Sequence, residues 1–283
     1  MRWYLERIPR VAHFYWGHDY MPWVRWLTLK TFRHHNPDWG MVLWQPFEPV
    51  RVDMTDVPQG GYTPNYIDRM MSLRVTVRHV DVERLTDVPL AKSVPSVHVR
   101  EQVKGDYLRL ALLSGEGGVS LDMDLLFYKP MEAAWFNTPE NVGVEAVVCR
   151  TSDTYYWGFM YGAPHGPLFT RMWEAAKRVP TSEFRGGLNF YRVAGHLAKE
   201  LWPTQRLLPP GMVNMPFQTF MTHTDRFDLD YEFPDVPERI AIHWHGSSSY
   251  GTFIKATPET WRDVLPQCLM RESIDRALKG MAS

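Results

Sequence analysis

The chain has little of what would mark a secreted, membrane-embedded or nucleic-acid-binding protein. Its 283 residues include two cysteines, Cys149 and Cys268. That is too few for a disulfide framework and predicts a reducing compartment. No apolar run approaches the length of a membrane span, and no signal-peptide hydrophobic region opens the chain. The formal net charge is −1, so no global field draws the protein to polyanions or to anionic membrane. The basic residues are mostly arginine, which leaves a local basic groove open. Internal repeats and composition-shifted linkers are also missing, which predicts one large domain able to bury a sizeable core.

What is present is ordinary globular hydrophobicity, 45% of residues, with 12 tryptophans and 13 tyrosines. Such aromatics serve sugar-handling surfaces and large cores alike. The periodicity predicts a strand over Val11–Trp16, a helix over Met21–His35 stopped by Asn36-Pro37, and a strand over Gly40–Trp44. A proline-rich loop follows over 46–66, then a strand over Leu73–Val80, a helix over Val99–Leu113 and a strand over Val119–Phe127. Further strands are expected at Val142–Val148, Trp157–Gly162 and Arg239–Trp244, and helices at Pro167–Arg178 and Leu188–Leu201. A terminal helix is expected after Thr257, a good N-cap residue with Pro258 next to it. Alternating strands and helices point to an α/β sheet flanked by helices.

Residues 104–130 hold the densest chemistry. Asp106 and Arg109 share one face of the predicted helix. Gly115, Gly117 and Gly118 then break it. In Val-Ser-Leu-Asp-Met-Asp, the strand alternation sets Val119, Leu121 and Met123 on one side and Ser120, Asp122 and Asp124 on the other. Two carboxylates on one face repel, and a divalent cation is the usual reason to tolerate them. The bland alternatives are a solvated acidic turn and a surface ion pair.

Gly105-Asp106, Arg109, Gly117-Gly118 and Asp122-Met123-Asp124 together resemble the Asp-x-x-Arg, Gly-Gly, Asp-x-Asp pattern of the sugar-binding Asp-x-Asp (DXD) glycosyltransferase superfamily. That superfamily includes yeast initiating α-1,6-mannosyltransferases, bacterial capsule transferases and clostridial glucosylating toxins. Ile8-Pro9-Arg10-Val11-Ala12-His13-Phe14-Tyr15-Trp16-Gly17 resembles the family's opening strand, and His243-Trp244-His245-Gly246-Ser247 its closing element. Gly105 stands where the family has serine, Ser120 where it has tyrosine, and the closing tryptophan has no clear equivalent.

The resemblance implies a GT-A fold, a Rossmann-like mixed sheet, over residues 1–283. The donor part would occupy roughly 1–150, and the acceptor and closing part the remainder. It implies a retaining transferase that moves a hexosyl group from a nucleoside-diphosphate sugar, preferably UDP-linked, with Mn²⁺ or Mg²⁺ bound by Asp122 and Asp124 and by His243 or His245. Asp106 and Arg109 would contact the donor sugar. Trp16 would stack on the base, with His13, Asp122, Ser247, Ser248 and Tyr250 also at the nucleotide. Core packing is the competing role for Trp16 and, more strongly, for His13. Asn189 is a candidate near the sugar.

A glycan is the expected acceptor, with hydroxymethylated DNA bases as the alternative and a protein third. Nucleotide-sugar hydrolysis and non-catalytic sugar binding are readings of another class. The missing N-terminal anchor leads to the expectation of a cytoplasmic enzyme, bacterial or phage-encoded.

Overall fold

A computed structural model describes residues 8–51, 64–87, 97–131, 146–150, 155–179, 197, 200, 206–208, 240–244, 256–264 and 269–282. Strand β1 (Val11–Tyr15), helix α1 (Trp23–His35) and strand β2 (Gly40–Pro46) form the expected β-α-β opening, with β1 and β2 parallel. Helix α1 begins after Pro22 rather than at Met21, and Asn36 closes it by donating both its backbone N–H and its side-chain amide to the Phe32 carbonyl. A 3₁₀ helix over Tyr66–Leu73 takes up the start of the segment expected as strand, which is confined to β3 (Thr76–Val80). Asn65 caps that helix through its side chain. A short helix, α2 (Val82–Thr86), precedes the long α3 (Val97–Gly115).

The stretch expected as one strand over Val119–Phe127 is two. β4 (Gly118–Leu121) lies in the main sheet and β5 (Leu125–Phe127) in a second one. The break falls on the motif. Asp122, Met123 and Asp124 are therefore not consecutive strand residues, and the expectation that alternation aligns the two carboxylates is corrected. The other elements are β6 (Ala146–Arg150), β7 (Tyr155–Gly162), α4 (Pro167–Ala176), β8 (Arg206–Leu208), β9 (Ala241–His243), α5 (Trp261–Val264) and α6 (Leu269–Ala282). The helix starts at Trp261 rather than beside Thr257, whose hydroxyl accepts the N–H groups of Glu259 and Thr260 in the preceding turn. Of the expected helix over Leu188–Leu201 only Leu197 and Glu200 are described, both helical, and the Gly-Ser run lies outside the described residues.

Among the described residues the main sheet has seven strands in the order β3-β2-β1-β4-β7-β6-β8, and β7 alone runs against its neighbours. The pleat feeds two cores. Ala12, Phe14, Met41, Leu43, Val119, Leu121, Phe159 and Tyr161 pack on one face with α1 and α6. Val42, Trp44, Val148 and Met160 pack on the other with α3 and α4. Consecutive apolar residues, pointing alternately to the two sides, are what a sheet covered on both faces requires. Tyr107 ties α3 to α4 by donating to the Ala176 carbonyl at 3.0 Å.

The turn from α3 into β4 depends on two glycines with positive φ, Gly117 at 68° and Gly118 at 97°. A Cβ on Gly118 would stand 2.5 Å from the Val11 carbonyl oxygen of the neighbouring strand, so the position excludes side chains both by angle and by space. Gly118→Ala is expected to lower stability by about 1–3 kcal/mol, read as a shifted midpoint in urea unfolding.

Candidate metal and donor site

The site lies where the chain leaves the main sheet. β4 ends at Leu121, and the Asp122 N–H still donates to Gly158 of β7 at 2.9 Å. Two residues on, the Asp124 carbonyl accepts the Trp244 N–H at 3.0 Å, which places it on the second sheet. Between them Met123 is buried in the core, and its carbonyl accepts the Thr28 hydroxyl of α1 at 3.0 Å. The motif is thus pinned at three successive residues by three elements.

The second sheet supplies a third candidate ligand. β5 and β9 are antiparallel, with Leu125 opposite His243. That register sets the His243 Nε2 2.7 Å from Asp124 Oδ1 and 4.0 Å from Asp122 Oδ2. One donor atom from each of Asp122, Asp124 and His243 can be chosen so that all lie within 4.8 Å of one another. Two carboxylates and an imidazole suit a divalent ion of intermediate hardness. The donor set therefore fits the Mn²⁺ or Mg²⁺ expected from the sequence.

Each carboxylate also meets an arginine with its other oxygen. Arg109 reaches from α3 to Asp122 Oδ1 at 2.5 Å, with Asp106 Oδ1 at 3.5 Å. The expected Asp106–Arg109 pair is present, but the shorter contact of Arg109 is to the motif itself. Arg25, in the first turns of α1, stands 3.3 Å from Asp124 Oδ2. Sequence reading missed Arg25. Its signal was a cation inside the otherwise apolar run Trp23-Val24-Arg25-Trp26-Leu27.

Trp16 stands just past the end of β1. It is buried, donates its indole N–H to the Tyr20 carbonyl at 3.0 Å, and has the Arg25 guanidinium 5.5 Å from its ring centroid. His13 lies further back, in mid-strand opposite Ser120. Its Nδ1 accepts from Trp44 Nε1 at 3.3 Å, which leaves Nε2 as the donor to the Gly117 carbonyl at 3.0 Å. Both ring nitrogens are thus engaged by the fold. Tyr15 donates to Glu101 at 2.6 Å, and burial with that carboxylate beside it raises the phenol's pKa, so it stays a donor. Lys104 completes the cluster at 2.8 Å from Glu101. His245, Ser247, Ser248, Tyr250 and Asn189 lie outside the described residues.

A largely parallel sheet between helix layers, with an acidic motif where β4 gives out, defines a GT-A glycosyltransferase fold. Residues 25–143 match the family model described as the glycosyltransferase sugar-binding region containing DXD motif. Asp106, Arg109, Asp122 and Asp124 lie inside the matched region. Among solved structures it is similar to the PaToxG glycosyltransferase, at 14% identity and TM-score 0.50 over 69% of this chain and 70% of that one. It is also similar to the galactosyltransferase LgtC in complex with donor and acceptor sugar analogs (13%, TM-score 0.42, 90% and 100%). The catalytic domain of alpha-toxin from Clostridium novyi is another such structure (13%, TM-score 0.39, 69% and 64%). No curated protein sequence matches the chain.

The His13 geometry has a consequence for stability in acid. Burial lowers its pKa below the ordinary 6.5, because the protonated ring would lose its hydration in the core. The neutral ring's contribution is complete above 6.5 and is lost as pH falls from there through the folded-state value. The melting temperature should fall across that window. His13→Gln, which does not titrate, should show a shallower fall. His35, whose pKa burial lowers to about 4, stays common to both proteins.

Proposed function

We propose that this chain is a metal-dependent hexosyltransferase that uses a nucleoside-diphosphate sugar, preferably UDP-linked, and delivers the sugar to a hydroxyl of a glycan. The observation that carries this reading is the convergence of Asp122, Asp124 and His243 within 4.8 Å, inside a sugar-binding region matched over residues 25–143. A divalent cation held there would stabilise the negative charge that grows on the departing diphosphate.

The chain's own residues do the rest. Asp122 and Asp124 present the oxygens that face His243. Arg109 orients Asp122 through the 2.5 Å contact. Asp106 and Arg109 meet the donor sugar, the carboxylate accepting hydroxyl protons and the guanidinium donating. Trp16 lies on the base side, and the segment carrying His245, Ser247, Ser248 and Tyr250 closes on the diphosphate. His13 acts through the fold, holding the Gly117 turn behind the motif. Residues 1–283 act as one domain, donor half first.

Transfer proceeds with retention. The acceptor oxygen forms its bond to the anomeric carbon on the face from which the diphosphate oxygen departs. The acceptor proton passes to the leaving phosphate. Proton NMR of the first product is expected to show the donor's anomeric configuration, and an inverted product would refute this.

Asp124→Asn is expected to cut kcat/KM by about 100-fold or more. It should also abolish the rise in melting temperature that Mn²⁺ with UDP produces in the wild type. A variant with full activity in a UDP-release assay would overturn the metal assignment. UDP release that no glycan accelerates would favour hydrolysis over transfer.

A further inference from the structure

Arg25 is a buried cation beside a metal ligand, 8% exposed and 3.3 Å from Asp124 Oδ2. Its guanidinium lies 4.7 Å from the Trp244 ring centroid and 5.5 Å from that of Trp16. The positively charged, flat guanidinium is suited to aromatic faces. Asp124 is consequently divided: one oxygen meets a positive charge and the other faces His243 at 2.7 Å. Arg109 divides Asp122 in the same way, at 2.5 Å on Oδ1, while Oδ2 lies 4.0 Å from His243.

This arrangement works against a lone cation. Among the described residues, Asp106, Asp122 and Asp124 bring three negative charges, and Arg25 and Arg109 return two positive ones. These described residues thus offer a divalent ion one net negative charge. Moreover, the Arg25 guanidinium repels the ion across a single carboxylate, in a buried setting where screening is weak. A diphosphate arriving with the ion adds both the missing negative charge and further oxygen ligands.

We propose that Arg25 makes divalent-cation binding conditional on the donor's diphosphate: it neutralises Asp124 in the free protein, so that the ion is held tightly only together with the nucleotide. The inference rests on the metal and nucleotide reading above. It assigns Arg25 as a positioning residue that sets the order of assembly.

The test is titration of the full chain with Mn²⁺, followed by the electron paramagnetic resonance signal of free ion, with and without UDP. In the wild type, UDP is expected to tighten Mn²⁺ binding by about tenfold or more. Arg25→Met, which keeps the stem but removes the charge, is expected to bind Mn²⁺ alone about tenfold tighter than wild type and to show less gain from UDP. Arg25→Lys, which restores the charge, should return toward wild-type affinity. Equal Mn²⁺ affinity in the wild type and Arg25→Met, or Lys behaving as Met does, would overturn the proposal. If the Met variant fails to fold, the wild-type arms decide: Mn²⁺ binding that UDP does not change overturns it. No Mn²⁺ binding by any of the proteins, with or without UDP, would overturn the metal reading itself.

Discussion

The site depends on the pairing of Leu125 with His243. β5 and β9 are three residues each, and an isolated ribbon of that length is not stable in water. Its stability comes from burial: Leu125, Leu126, Phe127, Ala241 and Ile242 are all fully enclosed. The ribbon is also tied to α1, because the Phe127 N–H donates to the Thr31 hydroxyl at 3.2 Å. A one-residue slip would turn every side chain of the ribbon to the opposite face. Apolar packing therefore holds the imidazole against Asp124.

The charges around the motif arrive from both faces of the main sheet. α1 packs in the core on one side and α3 in the core on the other. Yet Arg25 from α1 and Arg109 from α3 both reach the end of β4 and each takes one carboxylate. Buried carboxylates are costly unless paired and hydrogen-bonded. The two arginines offset that cost and leave the remaining oxygens directed at one place.

Local sterics account for two glycines in the family-like pattern. A side chain on Gly17 would collide with the Glu101 carboxylate, which Tyr15 and Lys104 hold in position. A Cβ on Gly105 would stand 3.2 Å from the Tyr15 ring, tighter than ordinary contact. This gives a physical reason for glycine at the position where the resembled family has serine. The packing of β1 against α3 thus sets residue choice beside Asp106 without any reference to the ligand.

Much of this was legible in the chain itself. The β1-α1-β2 opening follows from periodicity and from the Asn36-Pro37 stop, and the α3-to-β4 turn follows from Gly117-Gly118, which local backbone geometry requires. The spacing of Asp106, Arg109, Asp122 and Asp124 pointed to the sugar-binding region. The break in the motif was not legible. Residues 119, 121, 123, 125 and 127 are all apolar and all buried, so they read as one strand. Periodicity records burial and not which sheet a residue joins. Nor did anything near Arg25 indicate Asp124, since the two lie far apart in sequence and meet only once α1 packs beneath β5. Sequence alone determined which residues could bind a metal and a sugar. Tertiary structure decided which oxygen each carboxylate offers, because only packing brings an arginine to one side of it and a histidine to the other.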